Sequence, residues 1–134
     1  MSDQCRSLAW DGELSDAAKR GHAAIYRMNR ELREAVRPGV LPSDLYRLTM
    51  RLFEEEGYDS LTPQAGHSLG RVAHEPPFLV EGSDRPLGPG MIVVVEPTMR
   101  LAGVGSINIE DTTVVTEDGC EVLTSTPREW DAFL

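Results

Sequence analysis

From Asp16 to about Val36, apolar residues fall at Ala18, Ile25, Met28, Leu32 and Val36, mostly three or four apart beyond Ile25. That spacing is one face of an amphipathic helix. Ser15 is a good N-cap for it, and Pro38-Gly39 stops it. A second helix opens at Pro42-Ser43 and buries Leu45, Leu48 and Leu52. Glu54-Glu55-Glu56 forms its solvated end and Gly57 its C-cap. Beyond Gly57 the pattern changes to short runs of strand type. Strands are expected around Arg71 to His74, Met91 to Glu96, Ser106 to Thr116 and Cys120 to Thr124. Glu117-Asp118-Gly119 supplies a hairpin turn between the last two. Ahead of the helices, SLAWDGELSD reads as a short strand running into a turn at Asp11-Gly12. Strand, helix, helix, then strands gives an α+β fold with an antiparallel sheet.

With 134 residues the chain supports one domain with a real core and is short for two. Its 40% apolar and 26% charged residues are ordinary for a globular protein, and it shows no repeat or low-complexity segment. The 22 acidic residues against 13 basic give a formal charge of −9. That excludes nucleic acid or an anionic membrane as the main partner, since both require a cationic surface. Carboxylates that bind metal would lower the effective charge. Cys5 and Cys120 form no CxxC and are too few for a disulfide framework, so free thiols in a reducing compartment are expected. No apolar run reaches membrane-spanning length. MSDQCRSLAW has no charged-then-apolar signal pattern, and a cytoplasmic location is the expectation.

The stretch GHSLGRVAHEPPFL sets His67 and His74 seven positions apart among glycines and prolines. Glycines beside His67 let backbone approach a site closely. A single histidine in such a place is more often structural than a ligand, and His22, alone in the first helix, keeps the structural reading. Glu96 changes the balance. It ends the run MIVVVE, and a buried strand that delivers a carboxylate at its tip must satisfy that charge with a metal or a basic partner. In SINIEDTTVV, Ile107 and Ile109 share one face of a strand while Asn108, Glu110 and Thr112 share the other. Taken alone, Glu110 reads as lying on the solvated face of an edge strand. Together, one imidazole and two strand-borne carboxylates form a hard, mostly oxygen ligand set that suits Mn²⁺, Fe²⁺, Co²⁺ or Zn²⁺.

GHSLGRVAHEPP resembles the GHGIG…HEPP signature of the pita-bread metallopeptidases, which include methionine aminopeptidase, Xaa-Pro aminopeptidase, prolidase and the non-metal relative creatinase. PGMIVVVEP resembles that family's strand with a glutamate ligand, and INIEDTTVVTEDGCEVLT its last hairpin. Glu110 follows Glu96 by 14 positions. This spacing and the Ile-Glu-Asp form are more similar to the Xaa-Pro branch than to the methionine branch. The resemblance implies the second half of a pita-bread fold, with two helices packed on a curved antiparallel sheet.

By the same resemblance, Asp3, His67, Glu96 and Glu110 would be metal ligands. His74 and Glu96 would be the catalytic groups, Glu96 moving the proton of the attacking water and His74 steadying the tetrahedral intermediate. SDQCRSL resembles the family's SDxTRT segment, which makes Asp3 the second of two ligand aspartates. Cys5 stands where threonine is usual, and Asn108 where arginine often precedes the Ile-Glu-Asp. The family's first ligand aspartate has no counterpart, because only Met1 and Ser2 precede Asp3. Residues 1–134 are therefore expected to form a single partial catalytic domain without the first α/β half. At most one divalent ion (Mn, Co, Fe or Zn) should bind tightly. An open sheet edge should favour a homodimer, or a separate chain that supplies the missing half.

The leading functional expectation is a metal-dependent aminopeptidase or dipeptidase of Xaa-Pro type acting on peptide substrates. Two alternatives stand beside it: a non-catalytic module that binds a peptide or protein, and a creatinase-like metal-free hydrolase of a small compound. A C-terminal piece of a longer enzyme, a naturally shortened relative and one subunit of a split enzyme are all compatible with the residues.

Overall fold

In the computed structural model, which describes residues 3–8 and 13–131, the Ser15 hydroxyl accepts a hydrogen bond from the Ala18 amide and caps α1, Asp16–Ala35. Its apolar face is buried as the spacing requires: Ile25, Met28 and Leu32 are wholly inaccessible. Val36 adopts an extended conformation and ends the helix before Pro38. α2, Pro42–Glu56, begins with proline in its first turn and ends at Gly57, whose φ of 72° is the left-handed conformation that glycine takes without strain. Leu45 and Leu52 are buried as expected, whereas Leu48 is only partly so.

The strands are β1 (Cys5–Arg6), β2 (Gly66–Ser68), β3 (Glu75–Phe78), β4 (Ile92–Val95), β5 (Thr98–Leu101), β6 (Gly105–Val115) and β7 (Cys120–Val122). They form an antiparallel sheet in the order β1-β6-β4-β2-β3, with β5 and β7 also paired to β6. The α+β class holds. α1 lies across β6 and packs into two apolar clusters. One joins Leu32 and Val36 to Leu45, Val93 and Val95; the other joins Ile25 and Met28 to Leu52, Met99, Ile107 and Ile109. The Asn29 amide of α1 donates to the Ile109 carbonyl at 3.0 Å and fixes helix to strand.

Several elements differ from expectation. Residues 71–74 form bends, not a strand; the strands lie on either side, at 66–68 and 75–78. Pro76 and Pro77 are tolerated in β3 because it is an edge strand, where a missing N–H breaks no second ladder. The first strand is Cys5–Arg6, although the Ser7 amide continues it with a bond to the Asn108 carbonyl at 3.1 Å. The turn expected at Asp11-Gly12 lies outside the described residues. β5 was not foreseen. β6 is a central strand with β1 on one side and β4 on the other, so Glu110 lies on no solvated edge and is buried. The Glu117-Asp118-Gly119 turn is present, closed by the Thr116 amide donating to the Gly119 carbonyl at 3.0 Å. Both cysteines are free and half-buried. Among the described residues, no helix is long and apolar enough to cross a membrane.

Candidate metal centre

β2 runs between β3 and β4, with His67 opposite Val94, and the His67 side chain is wholly buried there. Its Nδ1 lies 3.0 Å from the Ser68 carbonyl. A carbonyl only accepts, which assigns the proton to Nδ1 and leaves the lone pair on Nε2. Nε2 has no hydrogen-bond partner although it is buried. It lies 3.8 Å from Asp3 Oδ2 and 3.8 Å from Glu96 Oε1, too far for a hydrogen bond. Two ligands, each about 2.1 Å from one ion, can be up to roughly twice that distance apart. A separation of 3.8 Å falls inside that limit.

The carboxylates arrive from three directions. Glu96 follows β4; its amide donates to the Ala65 carbonyl, and the Gln64 side-chain amide donates to its Oε1 at 2.9 Å. Glu110 is on β6 opposite Cys5 of β1. Asp3, two residues before Cys5, lies beside Glu110, and the Thr112 hydroxyl donates to the Asp3 carbonyl. Ligand atoms of His67, Glu96 and Glu110 lie within 4.8 Å of one another, and so do those of Asp3, His67 and His74. All five residues singled out in the sequence therefore meet. Their chemistry, oxygen-rich with one unprotonated imidazole nitrogen, fits a divalent ion of the Mn, Fe, Co or Zn type.

The charges explain why such a gap asks for a cation. Burial, then Asp3, then Glu96 push the Glu110 carboxyl up from its ordinary 4.5 to about 8, with Arg6 pulling the other way. Asp111, next along β6, points to the opposite face and is wholly buried. It accepts from Arg128 at 2.7 and 3.0 Å, Arg6 at 2.7 Å and Thr124 at 2.6 Å, with Arg33 at 3.2 Å. Burial pushes its carboxyl up, but hydrogen bonds from Arg128, Thr124 and Arg6 prevail and hold it below the usual carboxylate range.

His74 is exposed on the turn before β3, its ring centroid 4.1 Å from that of His67 and tilted by 42°. The turn is clasped by Glu75, whose carboxylate accepts from the amides of Arg71 at 3.0 Å and Val72 at 3.4 Å. His22 is buried with Nε2 unpartnered, and burial pushes its pKa down, in keeping with a structural role.

Sequence reasoning passed over Gln64, Arg6, Glu75 and Asp111. Asp111 carried a signal: alternation places it among the helix-facing residues of β6, where a carboxylate needs a basic partner. Glu75 stands inside the His-Glu-Pro-Pro of the family-like signature but was given no role, and Gln64 carried no signal.

A helix-backed antiparallel sheet with an imidazole–carboxylate cluster on its face defines the pita-bread class, and comparisons with known proteins agree. The model of metallopeptidase family M24 matches residues 1–117, and the chain belongs to that family. It is similar to an Xaa-Pro dipeptidase of Lactobacillus helveticus, 32% identical, over 96% of this chain and 35% of that protein. It is also similar to a probable dipeptidase, PepE, of Mycobacterium tuberculosis strain H37Rv, 33% identical over 96% and 34%. The solved structure of an Xaa-Pro dipeptidase from Bacillus anthracis superposes with a TM-score of 0.91 at 34% identity, covering 97% of this chain and 37% of that one. The chain thus spans about a third of the length of these relatives.

Proposed function

We propose that this chain supplies the metal-binding and proton-transfer residues of a peptidase that cleaves an Xaa-Pro bond. The observation that carries the reading is the buried, unpartnered His67 Nε2 set between the carboxylates of Asp3 and Glu96. Asp3, His67, Glu96 and Glu110 would hold one divalent ion, manganese being a suitable candidate. When bound, that ion lowers the pKa of water and polarises the scissile carbonyl. Glu96, oriented by Gln64, takes the proton of the attacking water and returns it to the leaving amine. His74, on the exposed rim beside His67, donates a hydrogen bond to the oxygen that gains charge during attack. Preference for proline in the second position is supported by the relatives' names. The reading also treats residues 1–134 as one part of a catalytic domain, in keeping with the length of those relatives.

Calorimetric titration of chelator-stripped protein with Mn²⁺, and hydrolysis of an Xaa-Pro dipeptide at saturating Mn²⁺, test it. The His67→Ala variant is expected to lose more affinity than the about 100-fold that an outer-shell change costs. Equal Mn²⁺ affinity in wild type and His67→Ala would remove the ligand assignment. Bound Mn²⁺ with tight binding of an Xaa-Pro dipeptide that is never hydrolysed, even with the rest of a relative's catalytic domain supplied, would favour the peptide-binding alternative. Light scattering of the same samples reads the assembly, a clean monomer counting against the dimer expected from the sequence.

A further inference from the structure

We infer that Arg6 is the positioning residue that holds Asp3 against Glu110; this rests on the ligand reading above. β1 is two residues long and pairs with β6 through Cys5↔Glu110 and Arg6↔Ile109, extended by the Ser7–Asn108 bonds on one side and by the Thr112 hydroxyl donating to the Asp3 carbonyl on the other. A ladder that short on a sheet edge contributes little by itself. Yet it must bring Asp3, near the start of the described chain, beside the buried Glu110 carboxyl.

The Arg6 side chain supplies what the ladder lacks. It is only 5% exposed, and every one of its nitrogens donates. Nη1 bonds the carbonyls of Cys5 at 2.8 Å and of Glu110 at 2.5 Å, joining β1 to β6 at the register that faces the cluster. Nη2 bonds Asp111 Oδ1 at 2.7 Å and the Thr126 carbonyl at 3.1 Å, and Nε bonds the Pro127 carbonyl at 3.0 Å. The guanidinium therefore lies on the helix side of the sheet, while Asp3, Cys5 and Glu110 face the other way. Arg6 contacts none of the space a substrate or ion would take. It acts through β1, with the buried Asp111 carboxylate as its counter-charge. Lysine cannot replace it, because a single ammonium cannot serve four carbonyls and a carboxylate at once.

Two measurements on the whole chain test this. In metal-free protein, Arg6→Lys should speed hydrogen exchange of the Ser7 amide, which bonds the Asn108 carbonyl, while β4 amides keep wild-type rates. With Mn²⁺ alone as the probe, Arg6→Lys should weaken binding about 10- to 100-fold, as for loss of an outer-shell support. The Asp3→Asn variant should lose as much, and the double variant no more than Asp3→Asn alone. Arg128→Lys, which disturbs the same Asp111 carboxylate but bonds no part of β1, should lower thermal stability and keep Mn²⁺ affinity. Ser7→Ala, a mild change that removes only the Asn108 amide's bond to the Ser7 hydroxyl, should also keep it. The assignment is overturned if Arg6→Lys leaves Ser7 exchange unchanged, or if its effect on Mn²⁺ adds to that of Asp3→Asn. It is also overturned if Ser7→Ala weakens Mn²⁺ as much as Asp3→Asn does, a result that needs no Arg6 variant to fold. If wild type takes up no Mn²⁺, the ligand reading fails, and the exchange result alone decides the role of Arg6.

Discussion

Glu110 illustrates how a single residue records the missing counter-charge. Its carboxyl is pushed up to about 8 by burial first and then by Asp3 and Glu96. In the unfolded chain it titrates near its ordinary 4.5. Between those values the folded, metal-free protein holds a proton that the unfolded chain releases, so stability falls as pH rises. The stability is fully present below about 4.5 and is lost progressively toward 8. Urea unfolding of chelator-treated protein across that window should show the decline, and Glu110→Gln should flatten it. A wild-type profile no steeper than that of Glu110→Gln would refute the placement of Glu110 between two carboxylates. Asp111 has the opposite sign. Its lowered pKa contributes stability above the unfolded value that is lost only as pH falls into the acid range. These neighbours on one strand therefore respond to pH in opposite directions because they face opposite sides of the sheet.

Among the elements, the helices were legible to within a residue because their limits are written locally: Ser15 and Gly57 cap them, and Pro42 opens the second. The site residues were legible as types at spacings that resemble a family, and all five meet. The β2–β3 segment was not legible. Its shape comes from a carboxylate reaching back over its own turn, and from a glycine pressed against a neighbouring strand. A Cβ on Gly66 would lie 2.0 Å from the Val94 carbonyl oxygen, a backbone atom that cannot turn aside. A Cβ on Gly70 would lie 2.2 Å from Glu75 Oε1, the free end of a side chain. Gly66→Ala must push β2 off β4 and should cost about 3 kcal/mol or more. Gly70→Ala need only displace Glu75 from the Arg71 and Val72 amides and should cost about 1 kcal/mol. Denaturant unfolding of the two variants separates them, and equal costs would mean that Gly66 is not where β2 meets β4.

At the scale of the molecule, the four candidate ligands come from distant segments: His67 on β2, Glu110 on β6, Glu96 just after β4 and Asp3 just before β1, and they meet only when the sheet forms. An ion bound there binds the folded state alone, so metal affinity and stability are linked: Mn²⁺ at 100 times its Kd should add about 2.7 kcal/mol. Both candidate ligand groups among the described residues, His67 with Glu96 and Glu110, and His67 with Asp3 and His74, share that side chain. With Nδ1 engaged by the Ser68 carbonyl, only Nε2 is free to ligate, and it serves one ion. The two groups are thus two views of a single site. Titration of metal-free chain with Mn²⁺ should break at one equivalent, with the rise in Tm saturating at the same point. A second equivalent of comparable affinity would mean that the carboxylates bridge two ions, and would show that the shared histidine does not set the count.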